Sequence, residues 1–343
     1  MKKLKKNLIL SLCFFSALFT YSATSAGNTD QGVFLDQPKT KNFINNMVKN
    51  HTFPEKELNA LFSLIEYKQS IIDAMSKPAE KTKTWGEYRP LFIHEKNINN
   101  GIQFWRQYSA TLAKAEKNYG VPAEIIVAII GVETRYGQNK GSYRVLDALA
   151  TLAFYFPARE VFFTKELENF LLLKKEQDWD ALSIKGSYAG AMGYGQFMPS
   201  SHRKWAVDFN NDHKTDIIND PNDAIGSVAN YFKDHGWQTG KPISIRAQKR
   251  PNADQALLNT VLNQSLKPQY SVKQLREYGI YPVQSIKEEV LASPFSFEHT
   301  LGTDYALGLN NFFVITEYNH SKLYAMAVYQ LSEAIKAKKA AQK

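Results

Sequence analysis

A mainly α-helical fold with a smaller β-containing part, α+β in class, is predicted on three observations. Apolar residues recur at helical spacing over much of the first 240 positions. One segment, from Pro122 onward, is apolar on nearly every side and belongs in the middle of a domain. From about Lys241 to Thr300 the pattern changes to short alternating runs broken by prolines at 242, 251, 268, 282 and 294. The 343 residues suit about two domains. A hydrophobic content of 44% with 22% charged residues excludes wholesale disorder.

The chain opens with Lys2, Lys3, Lys5 and Lys6, an apolar stretch from Leu8 to Tyr21, and small residues through Ala26. Positive start, short apolar middle and small-residue exit are the parts of a secretory signal over residues 1–26. Cys13, the one cysteine, excludes an internal disulfide and a cysteine-rich zinc site. The context of Cys13 argues against a lipid anchor, because Leu12 precedes it and the apolar run continues through Phe14, Phe15 and Leu18. Cleavage after Ala26 would remove four lysines and no acid from a chain of net charge +9. The remaining positive charge suits an anionic polymer and serves plain solubility equally well. No apolar run reaches the roughly 18 residues of a membrane span.

Gly27 to Thr40 reads as a linker. Leu58, Leu61, Phe62, Ile65, Ile72 and Met75 then predict a helix, broken at Lys77-Pro78. A second runs from about Ile102 to Tyr119 and stops at Gly120. A buried helix follows between Pro122, placed for a first turn, and Gly137, placed for a terminator. More helix is expected at 148–156 and 166–175, and a last one from about Ser321 to Ala340. The 241–300 stretch reads as a small inserted subdomain.

Three groups of residues could do chemistry. Glu133 closes the apolar helix, where lost hydration and the partially negative helix end both disfavour its charge and raise its pKa. It would serve as a protonated general acid, or be neutralised by Arg135 or Arg144 in a buried ion pair. Gly186–Ser200 carries four glycines in ten residues, which let backbone approach a ligand, with Ser187 and Gln196 as neutral hydrogen-bonding groups; a tight structural turn has the same composition. Asp208, Asn210 and Asp212 alternate as the oxygens of a calcium loop do, although His213 takes the usual glycine place and Asn219 that of the closing glutamate. Asp220 or Asp223 could close it. Asp220-Pro221-Asn222-Asp223 also reads as a helix N-cap, and the whole as a solvated turn. There is no His-Glu-x-x-His, no Gly-x-Ser-x-Gly and no basic repeat suited to nucleic acid.

Ile130-Gly131-Val132-Glu133-Thr134-Arg135-Tyr136-Gly137, the Gly186–Ser200 stretch and Asn311-Phe312-Phe313-Val314-Ile315-Thr316-Glu317-Tyr318-Asn319 together resemble the membrane-bound lytic murein transglycosylase B family. The match is colinear from about Phe104 to the last helix. It implies a lysozyme-like helical core over 101–240 and 301–343, an N-terminal helical region over 27–100, and the β-containing insertion over 241–300. It implies an enzyme acting on peptidoglycan glycan strands, with proteins of wall synthesis or remodelling as candidate partners, and the secretory signal places that enzyme in the periplasm. Family members cut the β-1,4 bond from N-acetylmuramic acid to N-acetylglucosamine and leave a 1,6-anhydro ring. On that pattern Glu133 is the catalytic acid and base. Ser187 and Gln196 match groups that bind the muramic acid, and Tyr231, Tyr318, Asn319 and Tyr324 match further substrate-binding residues. Asp208, Asn210, Asp212, the Lys214 carbonyl and Asp223 align with a calcium loop, a structural ion that the chemistry does not require.

Overall fold

The computed structural model describes residues 34–76 and 83–342. The expected secretory signal, Cys13 and the break at Lys77-Pro78 lie outside them. The described residues form two compact units: an N-terminal one of residues 34–76 and 137–227, and a C-terminal one of residues 83–136 and 228–342.

The N-terminal unit begins with α1 (Pro38–His51), α2 (Glu55–Phe62) and α3 (Gln69–Met75). The apolar run from Leu58 to Met75, one helix by spacing, is therefore two. Between them the backbone N–H groups of Glu66 and Lys68 donate to Asp147 Oδ1 (3.1 Å) and Thr151 Oγ1 (3.4 Å), partners that replace the helical ones.

The C-terminal unit opens with α4 (Trp85–Tyr88), α5 (Glu95–Gln107), α6 (Ser109–Tyr119) and α7 (Ala123–Thr134). The helix expected over 102–119 starts earlier and breaks at Tyr108, whose backbone leaves the helical region (φ −109°, ψ 29°) while its ring packs on Phe104. Gly120, left-handed at φ 71°, ends α6 as the sequence predicts. In α7 every residue except Glu133 is buried. The helix is wrapped by α5 and α6 and by the last helix of the chain.

The N-terminal unit resumes with β1 (Tyr143–Arg144), α8 (Val145–Tyr155), α9 (Glu160–Glu176), β2 (Lys185–Gly186) and α10 (Pro199–Trp205). Helices α8 and α9 pack together, and β1 pairs antiparallel with β2. Helix α11 (Pro221–Asp234) starts at the predicted N-cap, with Asp220 Oδ1 accepting the Asn222 N–H at 2.7 Å.

The C-terminal unit then adds β3 (Ser244–Lys249), α12 (Gln255–Asn259), β4 (Tyr270–Ser271), α13 (Val272–Glu277), β5 (Ile280–Pro282), β6 (Leu291–His299) and β7 (Gly302–Gly308). The strands form one antiparallel sheet in the order β4-β6-β7-β3-β5. Ile245, Leu258, Val272, Leu275, Ile280 and Leu307 make its apolar core. The sheet extends past Thr300, because β6 and β7 pair along their length from Ser293↔Gly308 to His299↔Gly302. Helix α14 (Asn310–Tyr318) and helix α15 (Lys322–Ala340) complete the unit.

Candidate active site

Glu133 is the next-to-last residue of α7 and is half-buried. Beyond it the chain takes three consecutive left-handed residues: Arg135 (φ 51°), Tyr136 (φ 63°) and Gly137 (φ 86°). The helix thus ends at Thr134, three residues before the expected glycine. A non-glycine residue in this region costs on the order of 1–3 kcal/mol, so the surroundings must hold it there. Tyr136 shows how. Its hydroxyl donates to the Asn97 carbonyl at 3.1 Å, and burial raises its pKa so that it keeps the proton. Its ring fills a slot that exists only because residues 101 and 131 lack side chains; a Cβ at Gly131 would lie 2.5 Å from the Tyr136 hydroxyl, and one at Gly101 2.6 Å from it.

Facing Glu133, the Tyr324 hydroxyl donates to Oε1 at 2.5 Å. Tyr324 is fully buried in the first turn of α15, where Ser321 caps the helix by accepting the Tyr324 N–H. Beside that cap, Lys322 Nζ donates to Asn263 Oδ1 and to the Ser296 carbonyl, each at 2.7 Å. Burial lowers the Lys322 pKa to about 8. A cation at a helix N-terminus also opposes the helix dipole, so these bonds carry its placement.

Tyr231, Tyr318 and Asn319 form a second group in this unit. All three are buried. The Tyr231 hydroxyl donates to the Glu317 carbonyl at 2.6 Å, and its ring stacks on His235 and meets Tyr318 edge-on at 4.9 Å. Tyr318 stacks on Phe232, and the Asn319 carbonyl accepts the Ser321 N–H at 2.7 Å. Tyr318 and Asn319 form the turn from α14 into α15, and Tyr231 packs against it.

Ser187 and Gln196 belong to the N-terminal unit, in a compact loop between β2 and α10. The Ser187 N–H donates to the Ala191 carbonyl at 2.8 Å, and its Oγ accepts the Ala191 N–H at 3.1 Å. That leaves the hydroxyl proton to donate. Gln196 is left-handed at φ 50°, and its side-chain NH2 donates to the carbonyls of Gly193 (2.9 Å) and Lys140 (3.2 Å). With both amide hydrogens so used, Oε1 is the atom turned to acceptance. Lys140 was not singled out in the sequence; the Gly141 that follows it, left-handed at φ 93°, was the available signal.

The two arginines weighed as counter-charges for Glu133 are placed differently. Arg144 pairs with Asp147 at 2.7 Å and with Glu66 at 3.2 Å, and Arg135 is exposed. Asp147 is buried, which raises its pKa, while Arg144 supplies its counter-charge. Glu160 pairs with Lys39.

The Asp208–Asp223 loop uses its oxygens on itself. Asp208 accepts the N–H groups of Asn211, Asp212 and His213, and Asp212 accepts that of Lys214. Asp223, fully buried, accepts from Phe209 and Asp216, both at 2.8 Å. Asn210 bridges the Asp212 and Asp220 carboxylates at 3.1 and 2.6 Å. The donor types suit calcium. Among the described residues, however, no three acids, histidines or cysteines gather as a metal site would. The loop's own backbone N–H groups compete with a cation for these oxygens.

The model of the transglycosylase SLT domain matches residues 36–333. The chain is 44% identical over 313 residues to membrane-bound lytic murein transglycosylase B of Escherichia coli K12, covering 89% of this chain and 84% of that one. The X-ray structure of catenated lytic transglycosylase SltB1 from Pseudomonas aeruginosa is 48% identical and superposes with a TM-score of 0.83, covering 88% of this chain and 98% of that chain. The E. coli lytic transglycosylase Slt35 in complex with calcium is 43% identical with a TM-score of 0.82, covering 91% and 97%. The predicted mainly helical, lysozyme-like fold with a small sheet is the fold of these structures. Among the described residues no helix is long and apolar enough to cross a membrane.

Proposed function

The chain belongs to the transglycosylase family defined by the SLT domain, and on that premise we propose that it cleaves the β-1,4 bond between N-acetylmuramic acid and N-acetylglucosamine in peptidoglycan, leaving a 1,6-anhydromuramic acid end. The observation that carries the reading is Glu133 itself: the one residue of α7 that is not buried, held by the buried Tyr324 hydroxyl.

An ordinary glycosidase needs two carboxylates across the scissile bond. Here one suffices. Protonated Glu133 gives its proton to the departing N-acetylglucosamine oxygen as the C1–O bond breaks, while the substrate's acetamido oxygen stabilises the cationic C1. The carboxylate then takes the proton from the C6 hydroxyl as that oxygen bonds to C1, which returns Glu133 to its starting state. The attack is intramolecular, and its high effective molarity lets it outrun water. Tyr324 keeps the carboxyl in one orientation through both transfers. Ser187 donates to, and Gln196 Oε1 accepts from, the acetamido group and its neighbours, with Tyr231, Tyr318 and Asn319 supporting substrate binding. The catalytic core is assigned to 101–240 and 301–343, with 27–100 as the N-terminal helical region and 241–300 inserted; β7 is shared between insertion and core. Residues 1–26 direct export to the periplasm.

Mass spectrometry of muropeptides released from purified peptidoglycan tests the activity. Products lighter by one water than hydrolysis products are expected. Reducing-end products would make the chain a muramidase, and binding without release would make it a non-catalytic wall protein.

Calcium is proposed as a structural ion of the Asp208–Asp223 loop, with Asp208, Asn210, Asp212, the Lys214 carbonyl and Asp223 as its oxygens. The ion would replace the loop's internal hydrogen bonds and take no part in proton transfer. Millimolar calcium is expected to raise the melting temperature, by about 2.7 kcal/mol of stability when the ion stands at about 100 times its Kd. The shift should vanish in Asp208→Ala. An unchanged melting curve in the parent protein would remove the ion from the reading.

A further inference from the structure

A cavity of about 790 Å³ lies in the C-terminal unit between the sheet and α15. Its volume is within the roughly 300–1,000 Å³ of ordinary ligand pockets. It is separate from the Glu133 contact. Met326, Tyr329, Gln330 and Glu333 line it, and at 3.6 residues per turn these side chains stand on the side of α15 opposite Tyr324.

The wall chemistry is mixed. Tyr281, Tyr305 and Tyr329 are half-buried rings with polar edges. The oxygen of Gln330 accepts from Arg89 Nε at 2.8 Å, and that of Gln248 from the Tyr281 hydroxyl at 3.4 Å, which aims the amide NH2 groups elsewhere. Arg89, Arg246 and Lys249 are nearly balanced by Asp304 and Glu333. Near-balanced charge disfavours a polyanion. Ring faces for C–H groups, with amides and a guanidinium for hydroxyls and acetamido oxygens, suit an uncharged polyol.

We propose that this cavity is an accessory saccharide site, which holds N-acetylhexosamine units of a glycan strand away from the Glu133 centre. The proposal rests on the peptidoglycan reading above. A second grip on the same polymer raises the local concentration of strand at the reacting centre without touching the scissile bond.

The test is calorimetric titration of the full mature chain with the N-acetylglucosamine tetramer, beside Tyr329→Ala and, should that variant fold poorly, Arg246→Ala at an exposed position. The parent protein is expected to bind tetramer at a site that either variant weakens by about 5–30-fold, the usual effect of truncating an anchoring side chain. KM on intact sacculi should rise in the variants, while turnover of short soluble muropeptides stays at the parent level. Identical titrations and an unchanged KM in both variants would overturn the proposal. So would loss of binding to a free stem peptide with tetramer binding intact, which would make the cavity a peptide site. The titration needs no turnover, so a chain that binds tetramer here but releases no anhydro product refutes the activity and not the site.

Discussion

Glu133→Gln is expected to lower turnover on peptidoglycan by about 10²–10⁴-fold, the scale of general acid–base catalysis. Glutamine has nearly the same shape, and its carbonyl oxygen can still accept the Tyr324 hydroxyl, so the variant should fold normally. It cannot give a proton to the leaving oxygen or take one from the C6 hydroxyl, and a single residue carries both transfers. Both half-steps therefore fail together. The check is steady-state release of muropeptides beside a thermal melt. Near-normal turnover in a well-folded variant would dismiss Glu133 as the acid.

Gly193→Ala should be the most damaging small change in the Ser187–Gln196 loop. Gly193 is left-handed at φ 73°, and a Cβ there would lie 2.2 Å from the Ile217 carbonyl oxygen. That oxygen cannot move aside cheaply, since it accepts the Tyr194 N–H at 3.1 Å. The Gly193 carbonyl in turn accepts both the backbone and side-chain N–H groups of Gln196. We expect a loss of about 2–4 kcal/mol in urea unfolding from left-handed strain plus overlap, with reduced activity as Gln196 shifts. Stability within about 0.5 kcal/mol of the parent would show that the loop relaxes at little cost.

Glu133 was legible because an apolar helix rarely ends on an acid without a reason, and the reason is local. Its partner was not legible in the same way. Tyr324 lies 191 positions further along the chain, and only the resemblance to a family pointed to it. The split between α2 and α3 has a similar cause: the side chain that captures the Glu66 N–H belongs to Asp147, 81 residues on, which periodicity cannot sense. The Asp208–Asp223 segment was ambiguous for a chemical reason. Alternating Asx residues offer their oxygens equally to a cation and to the loop's own N–H groups. The 241–300 stretch announced its strands by alternation, yet β7 lay past the expected edge, since Gly302–Gly308 has few of the turn and proline signals that marked the rest.

The Lys322 bonds bear on how freely this fold can be rearranged by recombination. Asn263 and Ser296 lie within the 241–300 stretch, whereas Lys322 starts the helix that carries Tyr324. A donor cassette spliced in place of that stretch would arrive without acceptors for a half-buried ammonium, leaving a partly desolvated charge two residues from the tyrosine that orients Glu133. Exchange between relatives would then succeed mainly where both acceptors travel with the cassette, or where the recipient has already traded the lysine for an apolar residue. The stretch and its host helix are in that sense inherited as a pair.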